Sequence, residues 1–258
     1  MSRHLAFDGV ENFRDYGDYA GAGGRRLKRG LLYRSAAHAQ ATDDDLEKIQ
    51  ALNLAAIVDL RRKGERERQP SRRHPQFSGR VIFTDEGDVG EDPWQLFIRQ
   101  SDLSAEAFRG YMFDYYDEAP FVDRHLYLYA EYFKALAELD GPVLIHCAAG
   151  KDRTGILAAL THHIAGVSDD DIRADFLLTN NPERLAKRLP MILQAMTEMS
   201  GRAPTEAAVM VAMSVEEGYL ERAFAAIKAR YGSLDAYLER ALGVDATMRE
   251  RLEARLFA

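Results

Sequence analysis

The chain has 258 residues, of which 47% are hydrophobic and 29% charged, and its formal net charge is −7. This composition is typical of a soluble globular protein, and the length suits one hydrophobic core with an insertion, so we predict a single domain over residues 1–258. The acidic balance argues against nucleic-acid binding, the short apolar runs exclude stable membrane insertion, and a lone cysteine excludes an intrachain disulfide.

Signals for targeting and for metal binding are weak. Residues 1–17 scatter charges among a few apolar side chains, unlike a secretory signal. We therefore expect a cytoplasmic location by default, with secretion by a route that needs no cleavable signal left open. The histidines do not occur in pairs with metal-ligand spacing, so we expect no structural zinc site. The oligomeric state is also left open.

The first half of the chain predicts an α/β sheet. Residues 12–36 place glycine-rich turn residues between two Tyr- and Leu-bearing runs, which predicts a hairpin. Thr42, followed by three aspartates, predicts a helix start, and strands are expected at 54–60 and 80–85. Between them, residues 61–73 carry seven basic side chains against two glutamates. This segment fits either a solvated loop with internal ion pairs or a surface that attracts an anionic substrate.

The second half continues the strand and helix pattern. Apolar residues at helical spacing predict a helix over 123–139, and the short run 142–147 predicts a central strand. A glycine-containing loop then leads to a predicted helix at 153–166, and Ser168 caps another helix. The C-terminal tail predicts amphipathic structural helix.

Methionines concentrate near the end of the chain. Five of the eight fall between Pro190 and Ser214, in a segment that SGRAPT divides into two predicted helices. Flexible methionine side chains suit both core packing and a mobile cover over a site, and both interpretations stay open.

The stretch HCAAGKDRTG, from His146 to Gly155, holds the only cysteine at the end of the predicted central strand. A strand that enters a tight loop and then a helix aims several backbone N–H groups at one point, a geometry that holds a tetrahedral oxyanion such as phosphate. Cys147 would lie at the mouth of this loop, where the helix N-terminus and a guanidinium stabilise a nucleophilic thiolate.

The other positions of this stretch suit the same chemistry. Arg153 has the planar fork that grips two phosphoryl oxygens, and the amides of Ala148, Ala149 and Gly150 can hold the others. Gly150 also permits a positive φ or a close backbone approach. The hydroxyl of Thr154 can donate to the cysteine sulfur when it leaves phosphorus.

The order His-Cys, five residues, Arg-Thr resembles the signature of the cysteine-dependent protein tyrosine phosphatase superfamily. With NFRDYG, LLYRSA, VDLRRKGERERQP, DFLLTNN and YGSLDAYLERALGV, nearly the whole chain is similar to atypical bacterial tyrosine phosphatases of the PtpB type. The resemblance implies a central, mostly parallel sheet flanked by helices and a phosphomonoesterase that needs no metal or cofactor and forms a phosphocysteine. It also implies a helical insertion after the signature helix, expected at residues 182–215, which we call the lid segment.

The tryptophan-proline-aspartate loop of classical tyrosine phosphatases is missing from the sequence, so the general acid must come from elsewhere, and four places offer an aspartate. Asp152, beside the signature arginine, resembles the loop acid proposed for this subfamily and is our first candidate. Asp59, at the end of a predicted parallel strand, is the second. Asp117 and the acidic loop 85–92 fit exposed or ion-paired carboxylates better.

Lys151 adds a cation beside the predicted phosphate site. It can attract a second phosphate of an inositol ring, or an acidic group, together with Arg61 and Arg62, or it can pair with Asp152 or Asp59. The expected substrate is a phosphorylated protein or a phosphoinositide, with inorganic phosphate as product. Two other function classes stay open: a phosphate-recognition module with little turnover and a sulfur-transfer enzyme of the rhodanese type.

Overall fold

The computed structural model describes residues 3–87 and 90–257 and shows a five-stranded sheet flanked by helices. The strands are β1 (Arg14–Asp15), β2 (Leu32–Ser35), β3 (Ala56–Asp59), β4 (Arg80–Ile82) and β5 (Val143–His146). Their spatial order is β1-β2-β5-β3-β4, with β1 antiparallel to β2 and the other three pairings parallel. This arrangement confirms the predicted mostly parallel α/β class.

Helices cover both faces of the sheet and extend beyond it. They are α1 (Asp43–Ala51), α2 (Lys63–Arg68), α3 (Pro93–Gln100), α4 (Ala105–Glu118), α5 (Asp123–Glu138), α6 (Asp152–Ile164), α7 (Asp169–Leu177), α8 (Pro182–Ser200), α9 (Glu206–Met213), α10 (Glu217–Tyr231), α11 (Leu234–Leu242) and α12 (Ala246–Leu256). In the part of the chain that the structure describes, no helix combines the length and the apolar character needed to cross a membrane.

The central strand β5 is buried on both faces, which explains its short and almost entirely apolar sequence. Val143 and Ile145 pack into the larger core with residues of α5 and α6, whereas Leu144 faces the other side of the sheet, where α1 packs. This alternation follows from the two-residue period of a strand. It leaves the end of β5 at the centre of the molecule.

The predicted hairpin, the helix that begins after Thr42 and the strands are confirmed, with shorter strands than the sequence suggests. The main difference is α2, which forms inside the segment 61–73, where the sequence suggested a solvated loop or an anion-attracting surface and no helix. This helix has no buried residue and therefore no apolar periodicity to reveal it. Its first turn is held by Glu65, whose carboxylate accepts from the backbone N–H of Arg62 at 2.7 Å.

The lid segment folds into the two predicted helices, α8 and α9. They pack with α3 and α4 in a hydrophobic cluster distinct from the two clusters around the sheet. Met196 and Met213 are buried in this cluster, while Met191 is exposed. Part of the methionine-rich segment therefore serves packing.

Candidate active site

The predicted phosphate loop, residues 147–151, joins the end of β5 to the start of α6. The sheet register aligns His146 with Ser35 of β2 and Asp59 of β3, so the loop leaves the sheet where three parallel strands end side by side. This edge is where α/β folds usually place ligands. Cys147, the first loop residue, is only 2% exposed.

Donors behind the loop fix the direction of its carbonyl groups. The imidazole Nδ1 of His146 donates to the carbonyl of Cys147 at 3.3 Å, and the backbone N–H of Ala37 donates to the carbonyl of Ala148 at 3.0 Å. The side-chain amide of Asn12 donates to the carbonyls of Ala149, at 3.3 Å, and Gly150, at 2.9 Å. Four successive carbonyls are thus held from behind.

Because the carbonyl groups of the loop point to the interior, its N–H groups point to the opposite side. In a trans peptide the C=O and N–H point to opposite sides, so the N–H groups of Ala148, Ala149, Gly150 and Lys151 face away from these donors. The first residues of α6, Asp152 and Arg153, have N–H groups without intrahelical acceptors. The result is a concave set of donors suited to an oxyanion such as phosphate.

A buried ion-pair network supports the loop from below. Arg34 donates to the carbonyl of Gly150 at 3.0 Å and to Asp175 at 2.8 Å. Arg14 approaches the same carboxylate at 3.5 Å and donates to the Oδ1 of Asn12 at 2.6 Å. Burial opposes ionisation of Asp175, but the two guanidinium groups outweigh it and lower the pKa of Asp175 to about 2. The carboxylate is therefore ionised at neutral pH and fixes both arginines.

Gly150 is needed in this loop for two reasons. Its φ is +66°, a left-handed conformation that favours glycine. A Cβ at this position would lie 2.3 Å from the carbonyl oxygen of Ser35. Any side chain would therefore push the loop away from β2.

Arg153 is held by Glu65, a residue that the sequence analysis did not identify. Its two terminal nitrogens meet the two carboxylate oxygens of Glu65 at 2.5 and 2.7 Å, and one of them also donates to the carbonyl of Leu60 at 3.2 Å. Burial favours the neutral form of Arg153, but Glu65 outweighs this effect and raises the pKa of the arginine well above its usual value. The guanidinium is thus permanently charged and fixed in orientation.

Asp152 occupies the first turn of α6 with two polar neighbours. The hydroxyl of Tyr116, in α4, donates to its Oδ1 at 2.9 Å, and the ammonium of Lys151 lies 3.4 Å from the same oxygen. Burial, followed by the negative charge of Asp152, raises the pKa of Tyr116 well above its usual value, so the phenol keeps its proton. The carboxyl group is partly exposed, which leaves it accessible to a ligand.

Asp59 is buried and paired with Arg61. Three contacts of 2.7 to 3.2 Å join their side chains, and Arg61 also donates to the carbonyl of Gln69 and the hydroxyl of Ser71. Burial would raise the pKa of Asp59, but His146 and Arg61 outweigh it, and the pKa lies below its usual range. Burial also lowers the pKa of His146, so Arg61 supplies the lasting positive charge.

The other two candidate acids have structural partners. Asp117 pairs with Arg222 of α10 at 2.7 Å. In the acidic loop 85–92, Asp85 pairs with Arg66, and Asp92 caps α3 and pairs with Arg68 at 3.1 Å. Residues 88 and 89 of this loop lie outside the described residues.

The remaining predicted residue, Thr154, is fully buried, and within residues 3–87 and 90–257 its hydroxyl has no hydrogen-bond partner.

Arg184 of α8 faces the site from the lid segment. It donates to the carbonyl of Thr179 at 3.1 Å and lies 3.3 Å from the carboxylate of Glu11, and its charge interacts with Asp152 and Cys147. No group of His, Cys, Asp or Glu side chains in the described part of the chain is placed to hold a metal ion.

Four residues that support the site were not predicted from the sequence: Asn12, Arg34, Glu65 and Asp175. All four lie in fragments that served only as marks of resemblance, namely NFRDYG, LLYRSA, VDLRRKGERERQP and DFLLTNN. A physical signal was nevertheless present: Arg34 interrupts an apolar run that predicts a strand, and a charge at such a position indicates a buried ion pair.

Comparisons with known proteins agree with this geometry. A family model described as the tyrosine phosphatase family matches residues 5–258. A Cupriavidus necator protein named as a tyrosine-protein phosphatase is 35% identical and aligns with 95% of this chain and 86% of its own length. The triple specificity protein phosphatase PtpB of Mycobacterium tuberculosis is 29% identical over 89% of this chain and 91% of its own length. The solved structure of P. aeruginosa TpbA aligns with 80% of this chain and 96% of its own at 18% identity, but its TM-score of 0.24 is too low to establish a common fold.

The protein is therefore a phosphatase and a hydrolase. It belongs to the tyrosine phosphatase family, because the family model spans nearly the whole chain and a relative at 35% identity aligns with 95% of this chain and 86% of its own length. The resemblance predicted from the signature is confirmed.

Replacing Gly150 by alanine should weaken anion binding at the loop. The added Cβ forces the loop away from Ser35, and we expect the dissociation constant for inorganic phosphate, measured by calorimetry, to rise about tenfold or more. Gly201→Ala is the matched control, because Gly201 has a similar φ of +71° but, apart from its own chain neighbours, no described residue has an atom within 4 Å of the position that an added methyl group would take. Unchanged phosphate binding by Gly150→Ala would contradict the proposed role of the loop.

Replacing Asp175 by asparagine should destabilise the protein in a pH-dependent way. At pH 7 the change leaves two buried guanidinium groups without a charged partner, and we expect a loss of roughly 3–5 kcal/mol in urea unfolding. The folded-state pKa of about 2 lies below the usual 3.8, so the stabilisation by ionised Asp175 is present above about pH 4 and is lost as the pH falls towards 2. The difference between wild type and variant should shrink over that window. Asp170→Asn, at an exposed position of α7, should change stability by less than about 1 kcal/mol.

Proposed function

We propose that the protein hydrolyses phosphate monoesters through a covalent intermediate on Cys147. The observation that carries this proposal is the position of the thiol, which lies at the start of a loop whose first four carbonyls are turned to the interior. The N–H groups of Ala148 to Arg153 hold the phosphoryl oxygens. Arg153 grips two of them with the donors that its bonds to Glu65 and Leu60 do not use, Nε and one N–H of the second terminal nitrogen. Glu65 keeps that fork oriented before substrate arrives.

In the first step the thiolate of Cys147 attacks phosphorus in line with the ester oxygen. The S–P bond forms, the P–O bond to the leaving group breaks, and Asp152 transfers a proton to the departing oxygen. In the second step Asp152 accepts a proton from a water molecule that attacks phosphorus. The S–P bond breaks, inorganic phosphate leaves, and the hydroxyl of Thr154 stabilises the regenerated thiolate.

Asp152 is the better candidate acid, because it lies in the loop region and is partly exposed. Asp59 is 1% exposed and accepts from Arg61 through both carboxylate oxygens. A general acid must carry a proton, but the surroundings of Asp59 keep its carboxyl group ionised. We infer that Asp59 orients Arg61 instead. The donors of Arg61 are directed to Asp59, Gln69 and Ser71, which supports a structural role more than the substrate contact predicted from sequence.

The substrates we propose are phosphorylated proteins and, in addition, phosphoinositides. The name of the relative PtpB, a triple specificity phosphatase, supports a range wider than phosphotyrosine. A panel of phosphotyrosine, phosphoserine and phosphothreonine peptides together with phosphoinositides tests this range. Activity on phosphotyrosine peptides alone would contradict the wider substrate range.

We also propose that the chain is a single phosphatase domain in which the lid segment controls access. Cys147 is almost fully buried, so a phosphate ester needs movement of the surrounding side chains to reach it. The lid segment packs with α3 and α4 in a cluster separate from those around the sheet and places Arg184 towards the site, which supports its role as the part that moves.

Changing Cys147 to serine should abolish turnover, because a serine hydroxyl is a far weaker nucleophile than a thiolate and the two side chains have similar size. Release of phosphate from p-nitrophenyl phosphate should fall to background, while the thermal unfolding temperature stays close to that of wild type. Substantial turnover by a folded Cys147→Ser protein would exclude the phosphocysteine mechanism. A wild-type protein that binds phosphate but releases no nitrophenol would instead be a recognition module.

The general acid can be identified with leaving groups of different quality. Asp152→Asn should slow hydrolysis of an alkyl phosphate about 10²-fold or more and that of p-nitrophenyl phosphate much less, because a good leaving group does not need a proton. Asp59→Asn should lower kcat for both substrates by similar factors, since it disturbs the position of Arg61. If the dependence on leaving group appears in Asp59→Asn and not in Asp152→Asn, the assignment is wrong.

A further inference from the structure

The ammonium of Lys151 contacts the lid segment as well as its neighbour in the predicted phosphate site. Its ammonium donates to the backbone carbonyls of Ala212, at 2.8 Å, and Ser214, at 3.1 Å. It also lies 3.4 Å from the carboxylate of Asp152. An ammonium group has three N–H donors, and here three acceptors of the protein surround it.

Both carbonyls belong to the C-terminal end of the lid segment. Ala212 is in the last turn of α9, and Ser214 is the residue that caps this helix. The last carbonyls of a helix lack intrahelical donors and carry the negative end of the helix dipole, so a lysine at this position is favourable. Lys151 is only 6% exposed, and a buried ammonium is tolerated only while such acceptors are present.

The base of the lid segment is closed by a second contact beside this one. The side chain of Asn180, just before α8, donates to the carbonyl of Val215 at 2.7 Å and accepts from its backbone N–H at 2.8 Å. This two-way bond joins the two ends of the segment to each other. The bonds of Lys151 join the closed base to the phosphate loop.

We propose that Lys151 is a positioning residue that anchors the C-terminal end of the lid segment to the phosphate loop, with its ammonium directed at α9 and not at the substrate phosphate. Separation of α9 from the loop removes two of its three acceptors. Lys151 therefore couples the position of the lid segment to the residue next to it, the candidate acid Asp152.

Hydrogen exchange in the ligand-free protein tests this anchor without requiring turnover, so the result is independent of the chemistry proposed for Cys147. In Lys151→Met the backbone amides of residues 206–215 should exchange about tenfold faster or more, the ratio expected for the loss of a charge-assisted hydrogen bond. Amides of α11 should be unchanged. Lys151→Arg, which keeps a charged donor, should restore much of the protection.

Lys187→Met is the matched control, because Lys187 lies on α8 in the same lid segment but is exposed. Its exchange pattern should match that of wild type. Kinetics provide the second readout: an anchor predicts a lower kcat in Lys151→Met with nearly unchanged affinity for inorganic phosphate. If exchange at 206–215 stays as in wild type while phosphate affinity falls about tenfold or more, Lys151 binds the phosphate and the proposal is wrong.

Discussion

The direction of four backbone carbonyl groups is the constraint on which the site depends. A carbonyl oxygen pointing into the loop would place partial negative charge against a bound phosphate and turn away the N–H group that should hold it. The fold prevents this with donors from separate elements: the ring of His146, the backbone of Ala37, the amide of Asn12 and the guanidinium of Arg34. The phosphate loop is short, but its shape requires the N-terminal hairpin and the end of β2 to be in place.

Positive charge is concentrated at the site in a chain that is acidic overall. Arg14 and Arg34 lie beneath the loop on a shared carboxylate, Asp175, and Arg153 lies beside it on Glu65. Each carboxylate holds its arginines in one orientation, so little reorganisation is needed when an anion binds. The protein thus combines a negative net charge with arginines in fixed positions around the loop where a phosphate ester would bind.

The sequence predicted the sheet, the hairpin and the loop because each of these depends on a continuous pattern of residues. The supporting network could not be predicted in the same way, since its contacts join distant parts of the chain: Glu65 to Arg153 across 88 positions, and Asn12 to Gly150 across 138. The helix that carries Glu65 gave no signal because it has no apolar face. Lys151 shows a further limit, since its charge was visible in the sequence while its direction, towards α9, depends on the folded position of the lid segment.

The start of α6 explains how three charged residues in succession can serve different purposes. Successive helical side chains point about 100° apart, so Lys151, Asp152 and Arg153 diverge from one point. They meet the end of α9, the phenol of Tyr116 on α4, and Glu65 on α2. Each charge therefore has its own partner, and the loop that would hold the phosphate is connected to the lid segment, to α4 and to α2 at once. A displacement of any one of these helices changes the position of a charged side chain at the site.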